Sequence, residues 1–215
     1  MKRCVIVGGA DILNYDDIKK YLSSEDFYIF CDCGLRHSVG LGVEPDLIVG
    51  DFDSSENPNL EVETIVLPTE KDDTDTVFAV KEAIKRGFED FLILGVIGQR
   101  LDHTLGNVSI LKMLFDKGFK AIIADDYCEM QAVGSEPVYI PDTYPYFSLI
   151  NIFGKTTGIT IKNAKYPLEN AEITCDYQYG VSNEVTKGKV AEVSVDNGTL
   201  LLVRVSQAYP NQPKS

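Results

Sequence analysis

Two short clusters of acidic side chains have the residue types and spacing to do chemistry. One is Val49-Gly50-Asp51-Phe52-Asp53-Ser54 and the other Lys71-Asp72-Asp73-Thr74-Asp75, on either side of Thr64-Ile65-Val66-Leu67-Pro68, which reads as a buried strand. Carboxylates this close repel one another, so a fold keeps them together only at solvent or around a cation. Asp51 and Asp53 leave a strand two residues apart and can project to one side. Such a pair grips Mg²⁺ through one or two carboxylates and leaves its other positions to water and phosphate oxygens. The competing reading is a pair of acidic surface loops. Lys71, the one cation between Asp51 and Asp75, is either a solvated counter-charge or a point charge on a transferring phosphate. Asp75 falls in the first turn of a helix, where the dipole favours an anion. Capping accounts for one of Asp73, Thr74 and Asp75, not for all of them with Asp72 added.

A third constellation, Gly95-x-x-Gly98-x-Arg100-x-Asp102-His103, joins a strand to a helix. Glycines before a helix N-terminus can cradle phosphate, although this is neither the P-loop nor the dinucleotide pattern. Arg100 offers a planar fork for phosphate. Asp102 and His103 read equally as helix N-caps. No Gly-x-Ser-x-Gly elbow and no cysteine with a matched histidine occur, which argues against covalent catalysis.

The elements that must position these groups alternate. Apolar runs at Cys4–Val7, Phe27–Cys31, Asp46–Val49, Thr64–Leu67, Phe91–Leu94 and Ala121–Ala124 read as strands. Helical spacing covers 15–22, 35–41, a helix capped by residues 73–76 with Val77, Val80, Ala83 and Ile84 inward, and 104–116 with Leu105, Val108, Leu111, Leu114 and Phe115 inward. This is the pattern of an α/β domain with an open, mostly parallel sheet flanked by helices, a Rossmann-like arrangement expected over residues 1–130. Gly8, Asp32, Gly50, Gly95 and Asp125 follow the strands, so the motifs converge on the carboxyl edge, where open α/β sheets bind ligands. From about residue 131 the texture changes to short β-rich segments with Gly and Pro, predicting an all-β unit, a sandwich or barrel, over 131–215. Asp196-Asn197-Gly198 between two apolar runs predicts a hairpin. The tail from Tyr209 to Ser215 reads as frayed.

Composition narrows the function. The chain has 215 residues and a net charge of −13, which repels nucleic-acid backbones and anionic membranes. No apolar run nears the ~20 residues that cross a bilayer. Five cysteines without framework spacing read as buried free thiols in a reducing compartment. Cys31-Asp32-Cys33 reads as a strand end with both thiols on one side, short of the four ligands of a zinc site. A soluble, cytoplasmic protein is expected. The residues alone thus give a metal-and-phosphate site on an α/β sheet, and leave phosphoryl transfer, pyrophosphoryl transfer and metal-assisted hydrolysis open.

The three motifs, in the order Pro45-Asp46-Leu47-Ile48-Val49-Gly50-Asp51-Phe52-Asp53-Ser54, Lys71-Asp72-x-Thr74-Asp75 and Gly98-x-Arg100-x-Asp102-His103, resemble those of the thiamine pyrophosphokinase (thiamine diphosphokinase) family. The segments 158–168 and 180–184 are similar to that family's β-domain motifs, so the resemblance covers nearly the whole chain. It implies a transferase that moves pyrophosphate from ATP to thiamine, giving thiamine diphosphate and AMP. It also implies a homodimer whose active site lies between subunits. Residue by residue it implies Asp51, Asp53 and Asp75 as metal ligands. Asp32, Gly34, Arg100, Asp102 and His103 would lie at the nucleotide, Lys71 and Asp72 would face the substrates, and Thr160, Tyr166, Ser182 and Asn183 would lie at thiamine. Two departures stand out: Cys33 where many members have glycine, and Tyr166 where animal members carry tryptophan. Asp72 and Asp102 both remain candidates for the general base. A pyrophosphokinase for another acceptor such as a hydroxymethylpterin, and a non-catalytic nucleotide sensor, are the alternatives.

Overall fold

The computed structural model describes residues 2–52, 61–68 and 72–206. Asp53, Ser54, Lys71 and the segment 209–215 lie outside the described residues. The chain divides into two compact units, 1–126 and 127–215.

In the first unit the apolar runs form parallel strands β1 (Cys4–Val7), β2 (Phe27–Cys31), β3 (Leu47–Gly50), β4 (Thr64–Val66), β5 (Asp90–Leu94) and β6 (Lys120–Ala124). They lie in the order β4-β3-β2-β1-β5-β6. The chain therefore builds outward from β1 to β4, then returns to place β5 on the other side of β1. That reversal between β1 and β5 opens a crevice at the carboxyl edge, the usual ligand position of such sheets.

Alternate side chains of the strands are buried on opposite faces. Val5, Val7, Tyr28, Phe30, Leu92 and Leu94 share one cluster with Ile18 of helix α1 (Tyr15–Lys19) and Leu41 of helix α2 (Ser38–Leu41). Helix α3 (Asp75–Lys85) packs across β1, β2 and β3, and helix α4 (Leu101–Asp116) against β6. Thr74 caps α3 by accepting from the Val77 amide at 3.3 Å, and Gly87, at φ +87°, supplies the left-handed turn after its C-cap.

Several expectations are corrected here. Leu105 is not inward on α4; it is 59 % exposed, and Asn107 and Ile110 are buried instead. The inward face of α3 carries Thr76, Ala79, Val80 and Ala83, with Val77 and Ile84 only half-buried. Cys33 does not continue a strand beside Cys31. The chain turns at Asp32, φ +37°, into a 3-10 helix, Asp32–His37. Cys4 and Cys31 are buried, whereas Cys33 and Cys128 are half-buried and Cys175 is exposed; all five are free.

The second unit is antiparallel. Strands β7 (Cys128–Val133), β9 (Tyr146–Ile150) and β13 (Leu200–Val205) lie in the order β7-β13-β9. Strands β8 (Val138–Pro141), β10 (Thr156–Lys162), β11 (Leu168–Ile173) and β12 (Val190–Ser194) form a second sheet, β11-β10-β12-β8. The two meet through Phe147, Leu149, Leu200 and Leu202 on one side and Ile140, Ile159, Ile161 and Val193 on the other, the core of a β-sandwich. The Asp196-Asn197-Gly198 turn is not a hairpin, because β12 and β13 belong to different sheets. It is a corner: Asn197 bridges to Thr157, and a Cβ on Gly198 would come within 2.4 Å of the Lys155 carbonyl.

Candidate active site in the first unit and the placement of second-unit residues

Three carboxylates meet at the carboxyl edge of the parallel sheet. Asp32 follows β2, Asp51 follows β3, and Asp75 opens α3, with one oxygen of each within 4.8 Å of the others. The sheet order makes the ends of β2 and β3 neighbours. Gly50 lets them close: an ideal Cβ there would meet Asp32 Cβ at 3.0 Å. Asp32 and Phe52 both hold positive φ, +37° and +54°, without being glycine. Such backbone strain costs about 1–3 kcal/mol per residue and clusters at functional sites. Three hard oxygen donors in this spacing suit a divalent cation such as Mg²⁺. Asp32, expected at the nucleotide, thus stands with the carboxylates expected to ligate metal.

Beside the carboxylates lies a cleft of about 450 Å³. Its walls are the loop after β1, residues 8–11, and the loop after β5, residues 95–100, with Cys33, Thr76 and the first two turns of α4. The two loops interlock. Gly8 donates to the Leu94 carbonyl at 2.8 Å and Ala10 to the Gly95 carbonyl at 2.7 Å. A side chain on Gly8 would strike the Gly95 carbonyl at 2.6 Å, and Gly95 itself sits at φ +61°. Residues that the sequence reading did not single out hold the first loop from below. Arg36 donates to the Gly9 carbonyl at 2.8 Å and to Asp11 at 2.6 Å. His37, almost fully buried, contacts the Ala10 carbonyl through Nε2 at 2.9 Å, which requires a proton on Nε2. Nδ1 then accepts from the Tyr15 hydroxyl at 2.8 Å. Burial pushes the imidazole's pKa down and keeps this neutral form. Gly34 is packed so tightly that a Cβ would lie 2.2 Å from the Val7 carbonyl.

Arg100 and His103 line the cleft and are exposed. Arg100 pairs with Asp102 through two hydrogen bonds, 3.0 and 2.7 Å, at the solvent surface. The guanidinium holds the Asp102 carboxyl far below the usual carboxylate range. While so paired, Asp102 is a poor proton acceptor. α4 begins without a side-chain cap hydrogen bond at Arg100. Asp72 is exposed just before α3. Asp53 and Lys71, as stated, are outside the described residues. Sequence reasoning also passed over Ala10, Thr76, Thr104 and Asn107. Their only signal was nearness to a strand end or a helix start.

The second unit carries the remaining expected residues. Tyr166 is 58 % exposed on the turn after β10. Asn183 is buried and holds that turn: Nδ2 donates to the Tyr166 carbonyl at 2.8 Å, and Oδ1 accepts from the amides of Tyr166 at 3.0 Å and Glu184 at 2.9 Å. Its carboxamide therefore acts through Tyr166. Ser182 stands at φ +59° with its amide on Ser148 Oγ, 3.0 Å. Thr160 lies on β10 and accepts from the Asn170 amide at 3.3 Å.

Comparison with known proteins gives one family for both units. Residues 18–123 match the model of the thiamin pyrophosphokinase catalytic domain, and residues 137–200 match that of the thiamin pyrophosphokinase vitamin B1 binding domain. The thiamine pyrophosphokinase of Bacillus subtilis is 28 % identical over 212 residues, covering 95 % of this chain and 99 % of that protein. Its crystal structure superposes with a TM-score of 0.82 at 25 % identity, over 96 % of this chain and all of the other (100 %). The thiamin pyrophosphokinase structure from Geobacillus thermodenitrificans gives 0.81 at 27 % identity, covering 96 % of this chain and 98 % of that one. The Candida albicans structure, 15 % identical with a TM-score of 0.74 and covering 95 % and 88 % of the two chains, shares the fold. With a catalytic-domain model matching the first unit and a vitamin B1-binding model the second, the chain belongs to the thiamine pyrophosphokinase family.

Proposed function

We propose that the protein transfers pyrophosphate from ATP to thiamine, giving thiamine diphosphate and AMP, with Mg²⁺ held by Asp32, Asp51 and Asp75. The observation that carries this reading is the meeting of those three carboxylates beside a glycine-walled cleft at the β1–β5 reversal. Bound there, a divalent cation would neutralise phosphate charge that the carboxylates otherwise repel. The loops 8–11 and 95–100 offer their backbone to the phosphates, and Gly8 and Gly95 let the two loops pack directly on each other, each leaving no room for a Cβ beside the other's carbonyl. Arg100 exchanges Asp102 for an equatorial phosphate oxygen, and the thiamine hydroxyl attacks the β-phosphorus in line with AMP leaving. Positioning and electrostatics then supply most of the rate. Arg100 frees Asp102 as it turns to phosphate, so Asp72 and Asp102 both stand as candidates for the general base. Asp53 would add a further metal ligand and Lys71 a phosphate contact, the roles the family resemblance implies for them.

Thiamine binds on the second unit at Tyr166, with Thr160, Ser182 and Asn183 shaping the site. The functional form is a homodimer with the active site between subunits, supported by the exposed apolar side chains of Tyr177, Tyr179 and Val181 on that unit. A cytoplasmic location fits the free cysteines; no helix among the described residues is long and apolar enough to cross a membrane. Incubation with ATP, Mg²⁺ and thiamine is expected to release AMP and thiamine diphosphate in equal amounts. Formation of ADP and thiamine monophosphate, or no turnover, would overturn the reading.

A further inference from the structure

Asn107 lies in the second turn of α4, lines the cleft and is only 8 % exposed. Its Nδ2 donates to the Val96 carbonyl at 2.9 Å. A carbonyl only accepts, so this contact fixes the amide: nitrogen toward the loop after β5, oxygen away from it. Among the described residues no protein donor reaches Oδ1, and the atom is not sealed from solvent. A nine-tenths-buried side chain thus presents one fixed, unmatched acceptor beside the cleft.

An amide oxygen repels phosphate oxygens and attracts neutral N–H or O–H groups. We propose that Asn107 Oδ1 accepts a hydrogen bond from a neutral donor on the nucleoside part of ATP, a ribose hydroxyl or the adenine amino group, and so determines nucleotide specificity. The inference rests on ATP being the nucleotide that this cleft takes. The loop has a second anchor independent of Asn107. Thr104 Oγ1 accepts from the Gly98 amide at 3.1 Å and donates to the Gly98 carbonyl at 3.2 Å. Removing the Asn107 carboxamide therefore leaves the loop tied to α4.

The test is calorimetric binding to the full chain with Mg²⁺ and without thiamine. The ligands are ATP, 2′-deoxy-ATP, 3′-deoxy-ATP and purine riboside triphosphate, which lacks the amino group. One analogue is expected to bind the wild-type chain about 3–10-fold more weakly than ATP, the size of one net hydrogen bond. That difference should disappear in Asn107→Ala, and the analogue that shows it identifies the donor. Asn107→Ser carries the comparison if the alanine variant does not fold, as judged by thermal melting. Equal binding of all four ligands by the wild type, or an analogue penalty that persists in the variant, overturns the proposal. No ATP binding by the wild type removes the ATP reading and this proposal together; the wild-type ATP titration alone tells that outcome from the others.

Discussion

The two units place their candidate residues by different means. In the parallel unit, backbone topology does the placing. Every crossover returns the chain so that the loops after β1, β2, β3 and β5 share one edge, and the reversal beside β1 leaves room between two of them. In the antiparallel unit no such edge exists, and side-chain amides hold the loops instead. Asn183 clamps the Tyr166 turn, while Gln178 grips both the amide and the carbonyl of Asn151, at 2.9 and 2.7 Å. A site built by topology needs its chemical groups and its glycines. A site built by clamps depends also on residues that touch no ligand.

The largest expected effect tests the first half of that contrast. Asp75→Asn should lower AMP release by about 100-fold or more, since a metal site contributes several kcal/mol at the transition state. The melting temperature should hold or rise, because relieving repulsion in the cluster offsets the loss of a helix-start anion. Turnover within about tenfold of wild type, measured by AMP release, would mean that the carboxylates are a surface cluster and not a site.

The same contrast explains what could be read from the sequence. The strands were legible because buried parallel strands are continuous apolar runs, as Phe27–Cys31 and Phe91–Leu94 are. The edge that gathers the candidate groups was legible because acids and glycines follow the strands. Asp32 as a partner of Asp51 and Asp75 was not. Their meeting depends on β2 lying beside β3 and on Asp32 packing against Gly50 across that pairing, and neither contact is local in sequence. Asn107 was missed because a buried asparagine inside an apolar helix face has no spacing of its own. Leu105 was misplaced because periodicity gives a face without saying which neighbour covers each turn. In the second unit Asp196-Asn197-Gly198 has hairpin chemistry, yet it turns a corner between sheets. Strand alternation does not say which strand pairs with which.

The clamp side of the comparison gives an intermediate effect. Asn183→Leu leaves the amides of Tyr166 and Glu184 and the Tyr166 carbonyl without their partner in a nearly closed site. Stripping a buried group of its hydrogen bond costs about 1–3 kcal/mol. A matching loss of unfolding free energy in urea is expected, together with a higher KM for thiamine and an unchanged KM for ATP. A rise in the KM for ATP of the same size would show that the units do not divide the substrates.

The smallest effect concerns Tyr166, the exposed ring that the clamp presents. Thiamine carries a permanent positive charge, and a cation against an aromatic face gains about 0.5–2 kcal/mol. Tyr166→Ala should therefore raise the KM for thiamine by roughly 2–30-fold, whereas Tyr166→Phe should leave it near the wild-type value. One complication is built into the turn. Lys165 holds its ammonium 5.5 Å from the centre of the Tyr166 ring while paired with Glu184 at 2.6 Å. A cation already at the ring weakens the attraction for a second one. Lys165→Gln should thus lower the KM for thiamine slightly, by less than about threefold, because the pair is exposed and screened. If Tyr166→Phe proves as harmful as Tyr166→Ala, the hydroxyl and not the ring face is the contact. Lys165→Gln would then leave the KM unmoved, and the two variants together separate a stacking surface from a hydrogen-bonding one.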